Sequence, residues 1–186
     1  ITTIADMSNI KIIGPNTFGI VNRHANLNAS FTPELGTVEK GGLSILSQSG
    51  GFCHLIAFLG VEERIGFSKL IGLGNRCNVD FADMVKYLGE DQDTKVIALY
   101  IEGVDDARRL YKIGSKVSKN KPVIAYKVGK FKTSDLASRS HTGSLAGRYE
   151  LYMAAFRQAG LITVNSTEEL LDTAKILTLC PLPKGN

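Results

Sequence analysis

From residue 42 onward, short apolar runs alternate with longer segments in which apolar residues recur every three to four positions. Continuous apolar runs are typical of strands buried on both faces, and the three-to-four spacing is typical of amphipathic helices. Strands are predicted in segments 43–47, 68–74, 95–103, 121–129 and 161–164. Helices are predicted in segments 49–63, 81–90, 105–120, 148–160 and 167–179. Strictly alternating strands and helices predict an α/β fold, a doubly wound sheet of five parallel strands.

The first 40 residues do not follow this alternation. Segment 9–16, NIKIIGPN, combines β-branched residues with a Gly-Pro-Asn turn and predicts a short strand. Residues 17–40 keep no period and predict an irregular connection. The chain begins without Met, and its last six residues, PLPKGN, resemble a linker. We therefore expect neighbouring domains on both sides.

Composition narrows the functional classes. With 186 residues and 44% hydrophobic content, the chain is long and apolar enough to bury a core. The net charge of +4 is mild, and basic residues are not interleaved with aromatic ones, which argues against nucleic acid. The three cysteines lack metal-binding spacing, so no structural zinc is expected and a reducing, cytoplasmic setting is predicted. No apolar run approaches the ~20 residues of a membrane helix, so no membrane contact is expected.

The segment with the most distinctive chemistry is 129–147, GKFKTSDLASRSHTGSLAG, which contains His141. Its glycines let a ligand approach the backbone, and its hydroxyl groups offer hydrogen bonds without bulk. Five basic residues accompany one acidic residue between positions 127 and 148. The pattern predicts a phosphate site beside a reactive histidine, although a surface loop would explain His141 without chemistry. His54, on an apolar helix, is interpreted as a packing residue.

Three polar segments follow predicted strands, at the edge where open parallel sheets bind ligands. Ser49 follows the first strand, Glu102 lies at the end of the third, and His141 follows the fourth. Together they suggest that a helix start, a carboxylate and an imidazole converge on one anion. Simpler roles remain open, because Ser49 is a natural helix N-cap and Glu102 could cap the helix near Asp105.

Four separated motifs occur in order along the chain: GPNTFGIVN, LSQSGG, the stretch from IGLGNRC to YIEGV, and SHTGSLAG. They resemble the ADP-forming (NDP-forming) acyl-CoA synthetases of the succinyl-CoA synthetase superfamily, in particular the acetyl-CoA synthetase branch. The resemblance implies that residues 1–25 end a preceding CoA-binding domain, 26–40 form a connection, 41–180 form a flavodoxin-like ligase domain and 181–186 lead to another domain. Thr17 departs from the cysteine usual in this family, and Gly51 from the more frequent alanine.

The resemblance also implies a function, that of an acid–thiol ligase fragment converting acyl-CoA, ADP and phosphate to acid, ATP and CoA. His141 matches the family's phosphohistidine, and Glu102 matches the carboxylate that orients it. Ser49 and Gly50 match a phosphate-binding helix start, and Thr142 and Gly143, in the histidine loop, match further phosphate-binding residues.

The implied cofactors are CoA, ADP or ATP, and Mg²⁺ in the complete enzyme, with none bound tightly by this fragment and no resident metal. The implied partners are an ATP-grasp domain or β subunit, the CoA-binding domain and a small acyl substrate, in an oligomeric enzyme. Two other readings remain: a non-catalytic ligand-sensing relative of this domain, and an FMN-binding module of the same fold.

Overall fold

The computed structural model describes residues 1–130 and 149–181. Its centre is a seven-stranded sheet with the order β2-β1-β4-β3-β5-β6-β7. The strands are β1 (Gly19–Asn22), β2 (Leu27–Ser30), β3 (Lys40–Ser47), β4 (Phe67–Gly72), β5 (Val96–Ile101), β6 (Val123–Lys127) and β7 (Ile162–Val164). β4, β3, β5, β6 and β7 are parallel neighbours. The five predicted strands thus exist in flavodoxin-like order, but the prediction of a five-stranded sheet was wrong by two strands.

The additional strands lie in the segment that was predicted to be irregular. β1 and β2 form an antiparallel hairpin, and β1 pairs antiparallel with the outer side of β4. Each has only four residues, too few for an alternating pattern to show in the sequence. The strand predicted at 9–16 is absent. The backbone N–H of Ile12 donates to the side chain of Asn78, whereas in a strand it would donate to the backbone of a neighbouring strand.

In the part of the chain that the structure describes, six helices accompany the sheet: α1 (Thr2–Met7), α2 (Gly50–Glu62), α3 (Phe81–Glu90), α4 (Ala107–Val117), α5 (Tyr149–Gln158) and α6 (Thr167–Leu179). A short 3₁₀ helix follows β2 at Pro33–Gly36. Except for α1 and the 3₁₀ turn, all were predicted from periodicity. Ser49, Asp80 and Ser166 cap α2, α3 and α6 with their side chains, so these helices begin where a cap residue satisfies a free backbone N–H.

The sheet has a hydrophobic core on each face. One core joins α2 and α6 to the sheet, and the other joins α3, α4 and α5. β5 contributes to both, because Val96 and Ala98 enter the first core while Ile97 and Leu99 enter the second. Its continuous apolar sequence therefore reflects burial on both faces, as predicted.

A buried ion pair ties β4 to the loop after α3. Lys69 is 3% exposed, and its Nζ lies 2.6 Å from Oδ2 of Asp91. Burial would raise the pKa of Asp91, but hydrogen bonds from Lys69 and Thr94 outweigh it and lower that pKa. The carboxylate thus stabilises the fold above its unfolded pKa of about 3.9, and the contribution is lost as pH falls through the lower folded value.

Asp91→Ala is expected to lower the free energy of unfolding by about 3 kcal/mol, because the variant leaves the Lys69 ammonium buried without its counter-ion. Asp93→Ala, which removes an exposed carboxylate two residues away, should change it by less than about 0.5 kcal/mol. Urea unfolding at pH 7 measures both values. The difference between Asp91→Ala and the parent should shrink below pH 4, and equal stability of the two at pH 7 would contradict the assignment.

Candidate functional site

The strand order reverses between β3 and β5, which are direct neighbours, and this reversal creates the crevice where doubly wound sheets bind ligands. Ser47 at the end of β3 pairs in register with Tyr100 of β5. A cavity of about 360 Å³, the switch-point cavity, opens beyond these ends. Its lining consists of Asn16, Thr17, Phe18, Phe31, Gln48, Ser49, Gly50, Gly51, Asn75 and Glu102. The structure therefore brings Ser49, Gly50 and Glu102 to one cavity.

Helix α2 begins at this cavity. Oγ of Ser49 accepts a hydrogen bond from Phe52 N at 3.2 Å, so the simple N-cap role is real. The first backbone hydrogen bond of the helix runs from Cys53 N to Ser49 O. The N–H groups of Gly50 and Gly51 therefore have no acceptor within the helix. A Cβ on Gly51 would meet only Oγ of Ser49, at 3.9 Å. An alanine would therefore fit at position 51, and the helix start is open to an anion.

Glu102 follows β5 and is 8% exposed. It does not cap the next helix, because Asp106 does so by accepting from Arg109 N at 2.8 Å. The Glu102 carbonyl oxygen accepts a hydrogen bond from Nζ of Lys127 at 3.0 Å. Lys127 is itself 2% exposed and lies 5.1 Å from the ring centroid of Tyr152. A buried cation therefore holds the backbone of Glu102 at the carboxyl edge of the sheet.

The loop containing Asn16 and Thr17 forms the opposite wall. Oγ1 of Thr17 donates to Gly72 O at 2.5 Å and accepts from Gly19 N at 3.0 Å, which fixes the loop to the end of β4. Gly74 has φ +56°, and a Cβ there would collide with the Pro15 carbonyl oxygen. The hydroxyl of Thr17 thus has a defined structural role.

His141, Thr142 and Gly143 lie outside the described residues, so their positions stay predictions. The chain enters this segment from the end of β6, and β6 is the direct neighbour of β5. Lys130 is the last described residue before it, and Tyr149 is the first after it.

Known proteins resemble this chain in sequence and in fold. Residues 40–177 match the family model described as "Succinyl-CoA ligase like flavodoxin domain". The chain belongs to this family. The α subunit of the ADP-forming acetate–CoA ligase II of Pyrococcus furiosus is 48% identical over 183 residues, which cover 98% of this chain and 39% of that protein. The ADP-forming acetate–CoA ligase of Methanocaldococcus jannaschii is 44% identical, covering 100% of this chain and 26% of that protein.

Among solved structures, acetyl-coenzyme A synthetase 1 of Ca. Korarchaeum cryptofilum, in complex with phosphate and ADP, superimposes with a TM-score of 0.92. It is 34% identical and covers 99% of this chain but 40% of its own. The chain thus spans roughly a quarter to two fifths of these relatives' length.

Two buried polar residues of this succinyl-CoA ligase like domain were not singled out from the sequence. Gln48 stands immediately before the cap residue Ser49, and Lys127 is the charged last residue of an otherwise apolar strand. A charge at the carboxyl end of a buried strand is a signal that sequence reasoning could have used for Lys127. Nothing in the sequence reveals that Gln48 reaches across to β5.

His54 has a packing role, as predicted. Its ring centroid lies 5.0 Å from that of Phe18 and 5.2 Å from that of Phe31, and Nε2 pairs with Oγ1 of Thr32.

In the described ranges, no three His, Cys, Asp or Glu side chains group together as metal ligands. Within residues 1–130 and 149–181, no helix combines the length and apolar character needed to cross a membrane.

Proposed function

We propose that this chain is the phosphohistidine-carrying domain of an ADP-forming acyl-CoA synthetase, with His141 as the carrier. The observation that carries the proposal is the meeting of the α2 N-terminus with the Glu102 carboxylate at the switch-point cavity. The names of the relatives, and the phosphate and ADP bound by the Korarchaeum enzyme, support the same chemistry.

The proposed reaction transfers one phosphoryl group twice. Phosphate oxygen attacks the acyl-CoA carbonyl carbon, the C–S bond breaks, and acyl phosphate and CoA result. The neutral imidazole of His141 then attacks phosphorus, forming a P–N bond while the P–O bond breaks and the carboxylic acid leaves as its anion. Finally a β-phosphate oxygen of ADP takes the phosphoryl group, which gives ATP and restores the imidazole.

Each described residue has a distinct task in this scheme. The carboxylate of Glu102 would accept a hydrogen bond from one ring N–H of His141, fix its tautomer and stabilise the positive charge that develops on the ring. The N–H groups at the start of α2 would bind the phosphoryl oxygens. The helix dipole contributes only about 0.3 to 1 kcal/mol, so the directed hydrogen bonds carry most of this stabilisation.

The remaining parts of the reaction are proposed to reside outside this chain, in a CoA-binding domain and an ATP-grasp domain or β subunit. The relatives that this chain matches have room for such domains, since the chain covers 39% of one and 26% of the other. Mg²⁺ would arrive with the nucleotide phosphates, whose oxygens are ligands that it prefers. The acyl substrate is proposed to be a small carboxylic acid such as acetate, as in the names of those relatives.

Incubating the complete enzyme with γ-³²P-ATP and Mg²⁺, without CoA or acid, tests the relay. We expect one labelled site per copy of this domain, stable in base and lost in acid, because a phosphoryl–imidazole bond hydrolyses on protonation. Addition of ADP should discharge the label as ATP. A label that survives acid would identify a phosphoserine or phosphothreonine and contradict the proposal.

A further inference from the structure

Gln48 connects the two sides of the switch-point cavity. It lies between the last residue of β3 and the cap residue of α2, and its side chain is 5% exposed. Its Oε1 accepts hydrogen bonds from the backbone N–H groups of both Glu102, at 2.7 Å, and Gly103, at 2.9 Å. Since only the amide oxygen accepts from N–H donors, these two bonds fix which end of the amide faces β5.

The other end of the amide, Nε2, is therefore turned away from the β5 backbone. It is buried, and it makes no hydrogen bond within residues 1–130 and 149–181. An N–H₂ group buried without an acceptor is costly and uncommon in native proteins, and it calls for an explanation such as an absent ion. Gln48 lines the same cavity as Ser49, Gly50 and Glu102, where the missing acceptor would be an anionic oxygen.

We propose that Gln48 is a further phosphoryl-binding residue, whose Nε2 donates to a phosphoryl oxygen at the start of α2 while Oε1 holds the backbone of Glu102 and Gly103. The identity of the ligand rests on the proposed function. One planar amide then joins the bound phosphoryl group to the backbone that carries the orienting carboxylate. This arrangement gives the α2 N-terminus a side-chain donor in addition to its backbone N–H groups, and it sets the distance between the two halves of the site.

Gln48→Glu tests the acceptor and the donor of the Gln48 amide separately. It keeps an oxygen for the N–H groups of Glu102 and Gly103, but replaces the Nε2 donor with a second oxygen. In the complete enzyme we expect phosphorylation of His141 by ATP and Mg²⁺ to slow by about 100-fold, as for loss of one directed donor to a developing anion. The defect relative to the parent should lessen as pH falls, because a protonated carboxyl again has a donor. A purely structural Gln48 predicts the parent rate.

Inorganic phosphate provides a readout that does not require the relay. Phosphate should raise the thermal midpoint of the parent and of His141→Ala alike, because ligand binding to the folded state stabilises it. The rise should be lost in Gln48→Glu, which removes the Nε2 donor and keeps an acceptor for Glu102 and Gly103. It should also be lost in Gln48→Met, which adds no charge but removes both the donor and that acceptor. Gln158→Glu, the same exchange at an exposed position on α5, should behave as the parent.

The outcomes separate the two proposals. A parent rate of labelling in Gln48→Glu, or an undiminished phosphate response in Gln48→Met, overturns the role of Gln48. If the parent shows no phosphohistidine but the phosphate response still depends on Gln48, the relay fails and the phosphoryl-binding role stands. Should Gln48→Glu fail to fold, Gln48→Met is measured in its place. A Gln48→Met variant with the parent's thermal midpoint but no phosphate response supports the role, and an undiminished response overturns it.

Discussion

Replacing His141 with alanine should abolish the acid-labile label and the overall synthesis of ATP in the complete enzyme. No other side chain in the proposed scheme accepts the phosphoryl group, so the loss should reach the detection limit and not stop at a modest decrease in rate. Formation of acyl phosphate from acyl-CoA and phosphate does not need the imidazole and should continue through a single turnover. Trapping acyl phosphate as its hydroxamate measures this step.

The matched control is His24→Ala. His24 lies at the opposite end of the sheet, where Nε2 is 3.0 Å from the carbonyl oxygen of Gly41 at the beginning of β3. This variant should keep the label and the activity of the parent. A label that persists in His141→Ala, or disappears in His24→Ala, would place the phosphoryl carrier elsewhere.

Glu102→Gln should slow the phosphorylation of His141 by about 100-fold while leaving the fold intact. The substitution preserves the size of the side chain and the backbone N–H groups that Gln48 binds. An amide carries no charge to stabilise the imidazolium that develops, and it does not select one tautomer, because it both donates and accepts. Rapid-quench measurement of the label gives the rate, and the thermal midpoint checks the fold.

Glu63→Gln is the control for Glu102→Gln. It makes the same chemical change at an exposed carboxylate that follows α2 and pairs with Lys175. Its labelling rate should equal that of the parent. Equal labelling rates in Glu102→Gln and in the parent would show that the Glu102 carboxylate has no role in the mechanism.

The chain by itself determined the parallel part of the sheet and the helices around it. These elements were predictable because periodicity reports how many faces of a segment are buried, and a cap residue such as Ser49 or Asp80 marks a helix start locally. The carboxyl ends of the strands, and therefore the meeting of Ser49 with Glu102, followed from the alternation of strands and helices. His141 was reached from its own segment and from the family motif, and its place in the site stays a prediction.

Only the tertiary structure decided which residues lie opposite one another. The β1–β2 hairpin depends on a free edge at β4, which no property of residues 17–40 reveals. The ion pair of Lys69 with Asp91 and the reach of Gln48 to Glu102 join segments 22 and 54 residues apart in sequence. Periodicity records that a side chain is buried but not what it contacts, and for polar groups the contact determines whether burial stabilises the fold, binds a ligand or costs free energy.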